Sequence, residues 1–397
     1  MNSFYKFNSD FRNLIIASFF SKFGIAIYTL ALPLIVYKLS KSGTLMAVTF
    51  VIEFLPHIIF SLFGGAFADR LSKRKIMIYG DITSFFAVII ILVTSIYGII
   101  NVPIILTATF ILSSASAFYH PSFESVIPEM LPESELVKGN SVFRLIETIT
   151  TLIGPSIGGI LIGLLGDTEV LLITAVTFFF SFISIFLIKG SYVNEDKSDD
   201  EKILNSIMIG LKYVAENKII LSGTIFMFLI NISYGMIESL FIFFLKHNLN
   251  YSASYIGYVF SFQTLGSIIA LYIVNKFKDY RRGKFIIISA IVMTLGMLLL
   301  CFSHNLILII LARMIMIGSV TGMAVSWFTL RQEIVPSKLL GRVISSTRMV
   351  AYLSLPLSGM ISGALINYTD IQMIYITSTI FTFILSIIFL NTKFIKS

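Results

Sequence analysis

The chain has 397 residues, 56% of them hydrophobic and only 13% charged, a balance that excludes an ordinary soluble domain. Its net charge of +8 would suggest a nucleic-acid partner in a soluble protein, but in so apolar a chain basic residues mark the cytoplasmic face of a membrane. A lone cysteine, Cys301, excludes an internal disulfide, and the histidines His57, His120, His247 and His304 are too scattered for a metal site.

A membrane helix needs about 20 apolar residues to cross the hydrocarbon, so this length has room for about twelve. Closed barrels, the other spanning solution, alternate apolar and polar residues. Here stretches such as 85–100 are apolar on every side, so the chain reads as an all-α, polytopic membrane protein. After a polar segment, 1–10, with no cleavable signal, spans are expected at 14–36, 44–67, 76–99, 104–118, 139–165 and 170–188. Six more are expected at 219–245, 255–274, 285–302, 306–328, 343–366 and 371–390.

The one long polar connection, 189–218, divides the chain into an N-terminal half, 1–188, and a C-terminal half, 219–397. Its second part, 203–214, carries apolar residues at helical spacing and reads as a helix along the membrane surface. With the N-terminus inside, Lys and Arg crowd the inner segments, while the outer loops hold only Lys38, Lys41 and Lys246. Both termini are therefore expected in the cytoplasm. A shift of 204 residues lays Pro132 on Pro336, Arg144 on Arg348 and Gly159 on Gly363, and a shift of 210 lays Asp69 on Asp279. The halves thus read as repeats in the same orientation.

Ionisable side chains inside membrane spans are costly and by default mark function. The sequence puts Lys22, Glu53, Arg144, Glu147, Glu238, Arg313 and Arg348 at depth as buried charges, with His57 and Asp81. Glu53 stands near mid-span with His57 one turn on, and Lys22 at similar depth is its expected partner. Glu53 is the first candidate for a proton-coupling carboxylate, Glu147 the second, with His57 beside them. Arg144 and Glu147, three residues apart, either form a structural pair or share in coupling. Glu238 is expected near the outer end of its span, in reach of water. Phe23, Tyr234 and Met314 are candidates for an adaptable apolar substrate cavity, packing or lipid contact being the alternative for each. Trp327 reads as an interfacial anchor, and Cys301 is expected close to the outer surface, open to thiol reagents from that side.

Two stretches stand out. Between the second and third spans, Gly65-x-Phe67-Ala68-Asp69-Arg70-x-Ser72-Lys73-Arg74 holds more charge than a turn requires. In the fifth span, Gly154, Pro155, Gly158 and Gly159 place small residues where helices approach closely, and Pro155 removes a backbone hydrogen bond. The first stretch resembles the loop motif of major facilitator transporters, with Ser72 where glycine is usual. The second resembles the core of the antiporter motif of that superfamily, with Thr150 where a further glycine is usual. Plain helix packing is the other reading of these glycines, because Gly359 and Gly363 repeat the spacing in the eleventh span. The stretches from Pro56 to Arg70 and from Tyr119 to Pro128 resemble the bacterial macrolide efflux branch.

The resemblance implies the twelve-helix major facilitator fold and an access-gating role for Gly65, Asp69, Arg70, Lys73 and Arg74, with Asp81 joining them. It implies a multi-pass protein of the bacterial cell membrane that exports amphiphilic compounds such as drugs or macrolides by alternating access, driven by a proton gradient. The arginine that the superfamily often carries in the fourth span is missing, although the tenth has Arg313. No phosphate-cradling glycine loop of the ATPase type occurs, so ATP is not the driver, and no cofactor or nucleic acid is expected. The expected partners are the small-molecule substrate and the lipid bilayer, with the chain a monomer. A carrier for a lysophospholipid or metabolite would share these features. A channel or membrane enzyme is the reading of another class, without a filter-like or catalytic pattern to support it.

Overall fold

The computed structural model describes residues 8–70, 72–190, 192, 203–277 and 280–396, and no strand occurs among them. Thirteen α-helices follow in order: α1 (Ser9–Ser40), α2 (Gly43–Arg70), α3 (Lys73–Ile96), α4 (Val102–Met130), α5 (Glu133–Leu164), α6 (Asp167–Phe186), α7 (Ile203–Glu216), α8 (Lys218–Phe243), α9 (Ala253–Lys276), α10 (Arg282–Phe302), α11 (Leu306–Ile334), α12 (Ser337–Leu365) and α13 (Ile371–Leu390). Each expected span lies on one long helix. The expected surface segment is α7, which packs against α8 and α12, with Gly210 tight against Arg342 and Ser346.

Among the described residues, eleven helices are long and apolar enough to cross a membrane. The exception is α12, which carries the expected span 343–366. Its 29 residues suffice in length, but Arg342, Arg348 and five serines from Ser345 to Ser362 dilute its apolar character. The serines are mostly turned inward: Ser346, Ser354, Ser358 and Ser362 are buried, and Ser362 meets Ser239 of α8 at 2.7 Å. Hydroxyls of this kind hold membrane helices together by hydrogen bonds between them.

Local chemistry sets the helix starts. Asn8, Asn101, Asn217 and Asn305 cap α1, α4, α8 and α11, each side-chain oxygen accepting from a backbone N–H of the first turn. Ser72, which replaces the glycine of the loop motif, caps α3 by accepting from the Lys75 N–H at 3.4 Å. Helix α1 ends where Lys41 takes a left-handed conformation, φ 52°.

The chain divides into two compact units. Unit 1 comprises Met1–Lys41, Ile52–Asp200 and Ser252–Gly257, and unit 2 comprises Ser42–Val51, Glu201–Tyr251 and Tyr258–Ser397. In unit 1, α1 packs on α5 and α6, while α3 packs on α4 and α6. In unit 2, α8 packs on α12 and α13, while α10 packs on α11 and α13. The same pairing pattern thus recurs with each helix replaced by the one seven places on, which is the sequence repeat expressed as packing.

At the start of the long connection, Asp10 of α1 accepts from the Lys189 and Gly190 backbone N–H groups at 3.1 and 3.0 Å and from the Tyr192 hydroxyl at 3.0 Å. Partial burial and the neighbouring Asp10 carboxylate push that hydroxyl up to about 12, so it remains a donor at neutral pH.

Three sequence expectations fail here. Trp327 is buried, not interfacial: Gly223 leaves room for the indole, which packs on Phe394 under the Arg331 guanidinium at 5.1 Å. Cys301 is buried too, its Sγ 3.7 Å from Thr379 Oγ1, because its helix turns that face toward α13. Arg144 and Arg348 are exposed rather than buried, at equivalent positions of the two repeated helices.

In unit 2, α9 and α11 approach closely at Gly266 and Gly318. A Cβ on Gly266 would lie 2.7 Å from the Met314 carbonyl carbon and 2.8 Å from its Cα, and backbone atoms cannot step aside as a side chain would. Gly266→Ala should therefore destabilise the protein by about 1–3 kcal/mol through overpacking. Gly341→Ala, at a helical site open to 4 Å, should be neutral or stabilising by up to about 1 kcal/mol. Thermal unfolding of the two variants in one detergent is the measurement, and equal melting temperatures would refute the packing argument.

Candidate functional site

Helix α1 brings Lys22 to α5, where its Nζ lies 3.6 Å from Glu147. Glu147 also receives Arg144 Nη1 at 2.8 Å, one turn back on its own helix. The expected partner of Lys22 was Glu53. The structure instead gives it Glu147, because α1 lies along α5 and α6 and presents Lys22 to that face. The three charges grade outward, with side-chain exposures of 23% for Lys22, 45% for Glu147 and 79% for Arg144. His120 of α4 neighbours Lys22 and Glu147 on one side and His57 of α2 on the other. Glu53 is half-buried one turn before His57 and lies near the buried Tyr28, whose hydroxyl is 3.1 Å from Thr109.

Beside this cluster is a small cavity of about 30 Å³ among α1, α3, α4 and α6, lined by both polar and apolar side chains, with room for about one water. Asp81 of α3 forms part of its wall and is 1% exposed, accepting a hydrogen bond from Ser181 of α6 at 2.7 Å. Sequence reasoning grouped Asp81 with the charged loop. It also placed Asp81 within a span, and there the structure buries it, α3 packing that face on α4 and α6. Ser181 was missed, and its only signal was a hydroxyl within the apolar run of α6.

Of the loop motif itself, Gly65, Asp69 and Arg70 lie outside the residues whose side chains are described. Lys73 is buried and ion-paired with Glu129 of α4. Arg74 donates to the Phe186 carbonyl at 2.6 Å and lies over the Phe186 ring. These two cations thus tie α3 to the ends of α4 and α6.

The glycine edge of α5 is a packing surface. Gly154 abuts Ala26, where an added Cβ would come within 2.5 Å, and Gly158 abuts Ile27 at 3.4 Å. Gly159 meets the Ala253 carbonyl, and the Pro155 carbonyl would lie 2.5 Å from a Cβ on Gly257, all within unit 1.

Unit 2 holds the most deeply buried charge. Arg313 of α11 is fully buried, donating Nη1 and Nη2 to the two carboxylate oxygens of Glu238 at 2.7 and 3.0 Å and Nε to Gln263 at 2.8 Å. Its guanidinium also lies 4.1 Å from the centre of the Phe241 ring. Glu238 therefore does not simply face water as expected: its charge is spent on Arg313. Tyr234, four residues earlier on the same face of α8, borders the pair. Gln263 and Phe241 were missed, and an amide inside the apolar run 255–274 was the available signal. Met314 borders a separate cavity of about 550 Å³ among α9, α10 and α11, lined by apolar groups such as Ile269, Phe285 and Val292. Phe23 stacks on Phe19 at 5.8 Å.

A buried ion pair loses far more when one partner is removed than when both are replaced by apolar groups. Glu238→Gln strands the Arg313 charge and should cost about 3–5 kcal/mol or abolish accumulation of the protein. Pairing Glu238→Leu with Arg313→Met should recover most of that loss in the melting temperature. A single variant as stable as the parent would show that the pair contributes little.

The comparisons with known proteins agree with this architecture. Residues 5–397 match the family described as transmembrane secretion effector. The chain is 24% identical over 347 residues to macrolide efflux protein A of Streptococcus pyogenes, covering 85% of this chain and 84% of that protein. It is also 24% identical over 379 residues to the multidrug efflux pump Tap of Mycolicibacterium fortuitum, covering 92% and 91%. Among solved structures, a mutant of the nucleoside transporter NupG superposes with a TM-score of 0.83 at 14% identity, over 96% of this chain and 99% of that one. A peptide transporter POT bound to alafosfalin gives 0.73 at 14% identity, over 96% and 93%. With its helices, its repeat and its full-length match, the chain belongs to the transmembrane secretion effector family of major facilitator membrane transporters.

Proposed function

We propose that this transporter exports amphiphilic small molecules, drugs or macrolides among them, across the bacterial cell membrane by alternating access coupled to the inward proton gradient. The efflux activity named for relatives along most of the chain supports the substrate class. The observation that carries the coupling is the linked set Lys22, Glu147, His120 and His57, ionisable groups held side by side on membrane helices of unit 1. Glu147 lies 3.6 Å from Lys22 and is open enough to meet a cationic substrate, so proton and substrate would compete for one carboxylate. Glu53, one turn from His57, is the second group through which a proton passes. The loop residues Gly65, Asp69, Arg70, Lys73 and Arg74 hold one access state, and the Gly154, Pro155, Gly158 and Gly159 edge lets α5 slide closely on its neighbours. The chain works as a monomer without ATP or a bound cofactor, both termini in the cytoplasm.

In everted vesicles an acid-inside gradient should drive accumulation of a fluorescent amphiphilic cation, and a protonophore should collapse it. Glu147→Gln, which fixes the neutral form, should abolish gradient-driven accumulation, and Glu53→Gln should weaken it. Accumulation independent of the pH gradient, or undiminished in Glu147→Gln, would overturn the coupling. Handedness in the membrane is read separately: in a Cys301→Ser background, His304→Cys should react with an impermeant thiol reagent only from the outer face.

A further inference from the structure

The cavity beside the Lys22 and Glu147 cluster has a composition that packing does not explain. Its lining brings together Asp81, Ser18, Ser21 and Tyr119 at the back, with Lys22 and the exposed His120 toward the mouth. Ser18 Oγ is buried without a hydrogen-bond partner among the described residues, and it lines this space together with Ser21 and Tyr119. An unsatisfied buried hydroxyl costs on the order of 1–3 kcal/mol, which a water in this space would relieve. Among the described residues Asp81 is in no ion pair, its hydrogen-bond partner being the neutral Ser181. A cation is a poor occupant, because the Lys22 ammonium borders the same space.

We infer that Asp81 is a second proton-binding carboxylate, loaded and emptied through this cavity and set by where Lys22 places its charge. The inference rests on the proton-coupled reading above and deepens it. As a neutral acid, Asp81 donates its proton into a space where hydroxyl oxygens stand ready to accept. As an anion it needs Lys22 near. Lys22 borders both groups, lying 3.6 Å from Glu147 and lining the wall shared with Asp81. When Glu147 is protonated or engaged by substrate, the ammonium is released toward Asp81, whose proton then leaves by way of cavity water to the His120 mouth. One O–H bond breaks at the carboxyl, one forms on water, and no other bond changes. Lys22 from α1 and Tyr119 and His120 from α4 line the same cavity as Asp81, while α6 contributes the uncharged Ser181 and α5 acts through Glu147 on Lys22.

The test uses the purified full-length chain in lipid, with infrared difference spectra between acid and alkaline buffer. The parent should show the carbonyl stretch of a protonated carboxylic acid in an apolar setting, and Asp81→Asn should lose it while eluting at the parental volume in gel filtration. Asp81→Glu should restore the band. At fixed pH, Glu147→Gln should reduce its intensity several-fold, because Lys22 is then free to favour the Asp81 anion, and adding Lys22→Gln should bring it back. A band that survives Asp81→Asn, or that ignores Glu147→Gln, would overturn the inference. Because the spectra need no substrate and no gradient, a parent protein without gradient-driven transport would remove the proposed export reaction and leave the Asp81 result standing.

Discussion

Everything in this fold answers one constraint: a polar group surrounded by hydrocarbon must find its partner within the protein. Backbone groups meet it by forming helices, and serine and threonine hydroxyls meet it by bonding to carbonyls one turn back, as Thr174, Thr294 and Ser386 do. Charges meet it in pairs. Lys73 takes Glu129, Lys22 takes Glu147, and Arg313 takes Glu238.

The two units meet this constraint differently although they share one packing plan. In unit 2 the guanidinium of Arg313 is saturated by a bidentate carboxylate, an amide and an aromatic face, so nothing remains to respond to a proton or a ligand. A lysine there could not serve all three partners. In unit 1 the Lys22 cluster is less committed. Lys22 faces Glu147 at a looser 3.6 Å beside a space that also contains Asp81, and the carboxylate is shared with an exposed arginine. A duplicated architecture thus carries a saturated, buried ion pair in one copy and a looser, shared one in the other.

Much of the fold was legible in the sequence because hydropathy and length are properties of each segment alone. The helix positions, the amphipathic α7 and the repeat all came from such local patterns. The exception, α12, shows the limit: its serines look polar in sequence, yet they are spent inward on α8 and on its own backbone. The site was less legible, since depth along a helix can be read from sequence but rotation about its axis cannot. Lys22 and Glu53 match in depth, but Glu147 lies on the face that Lys22 looks toward. Arg144 and Arg348 were placed at the right depth and on the wrong side. Asp81 was read both as a group inside a span and as an associate of the charged loop, and just over two turns of α3 carry it into the bundle.

The burial of Trp327 gives the molecule a built-in optical probe. It is the only tryptophan in 397 residues, and its indole is enclosed by Gly223, Phe394 and the Arg331 guanidinium, all within unit 2. Emission excited selectively in tryptophan therefore originates from a single dry site whose colour and quenching register the packing of α8 and α11. Unit 1, where the adjustable charges lie, is dark at that wavelength. A spectral change on adding substrate would then report a rearrangement of the α8 and α11 packing around this one residue.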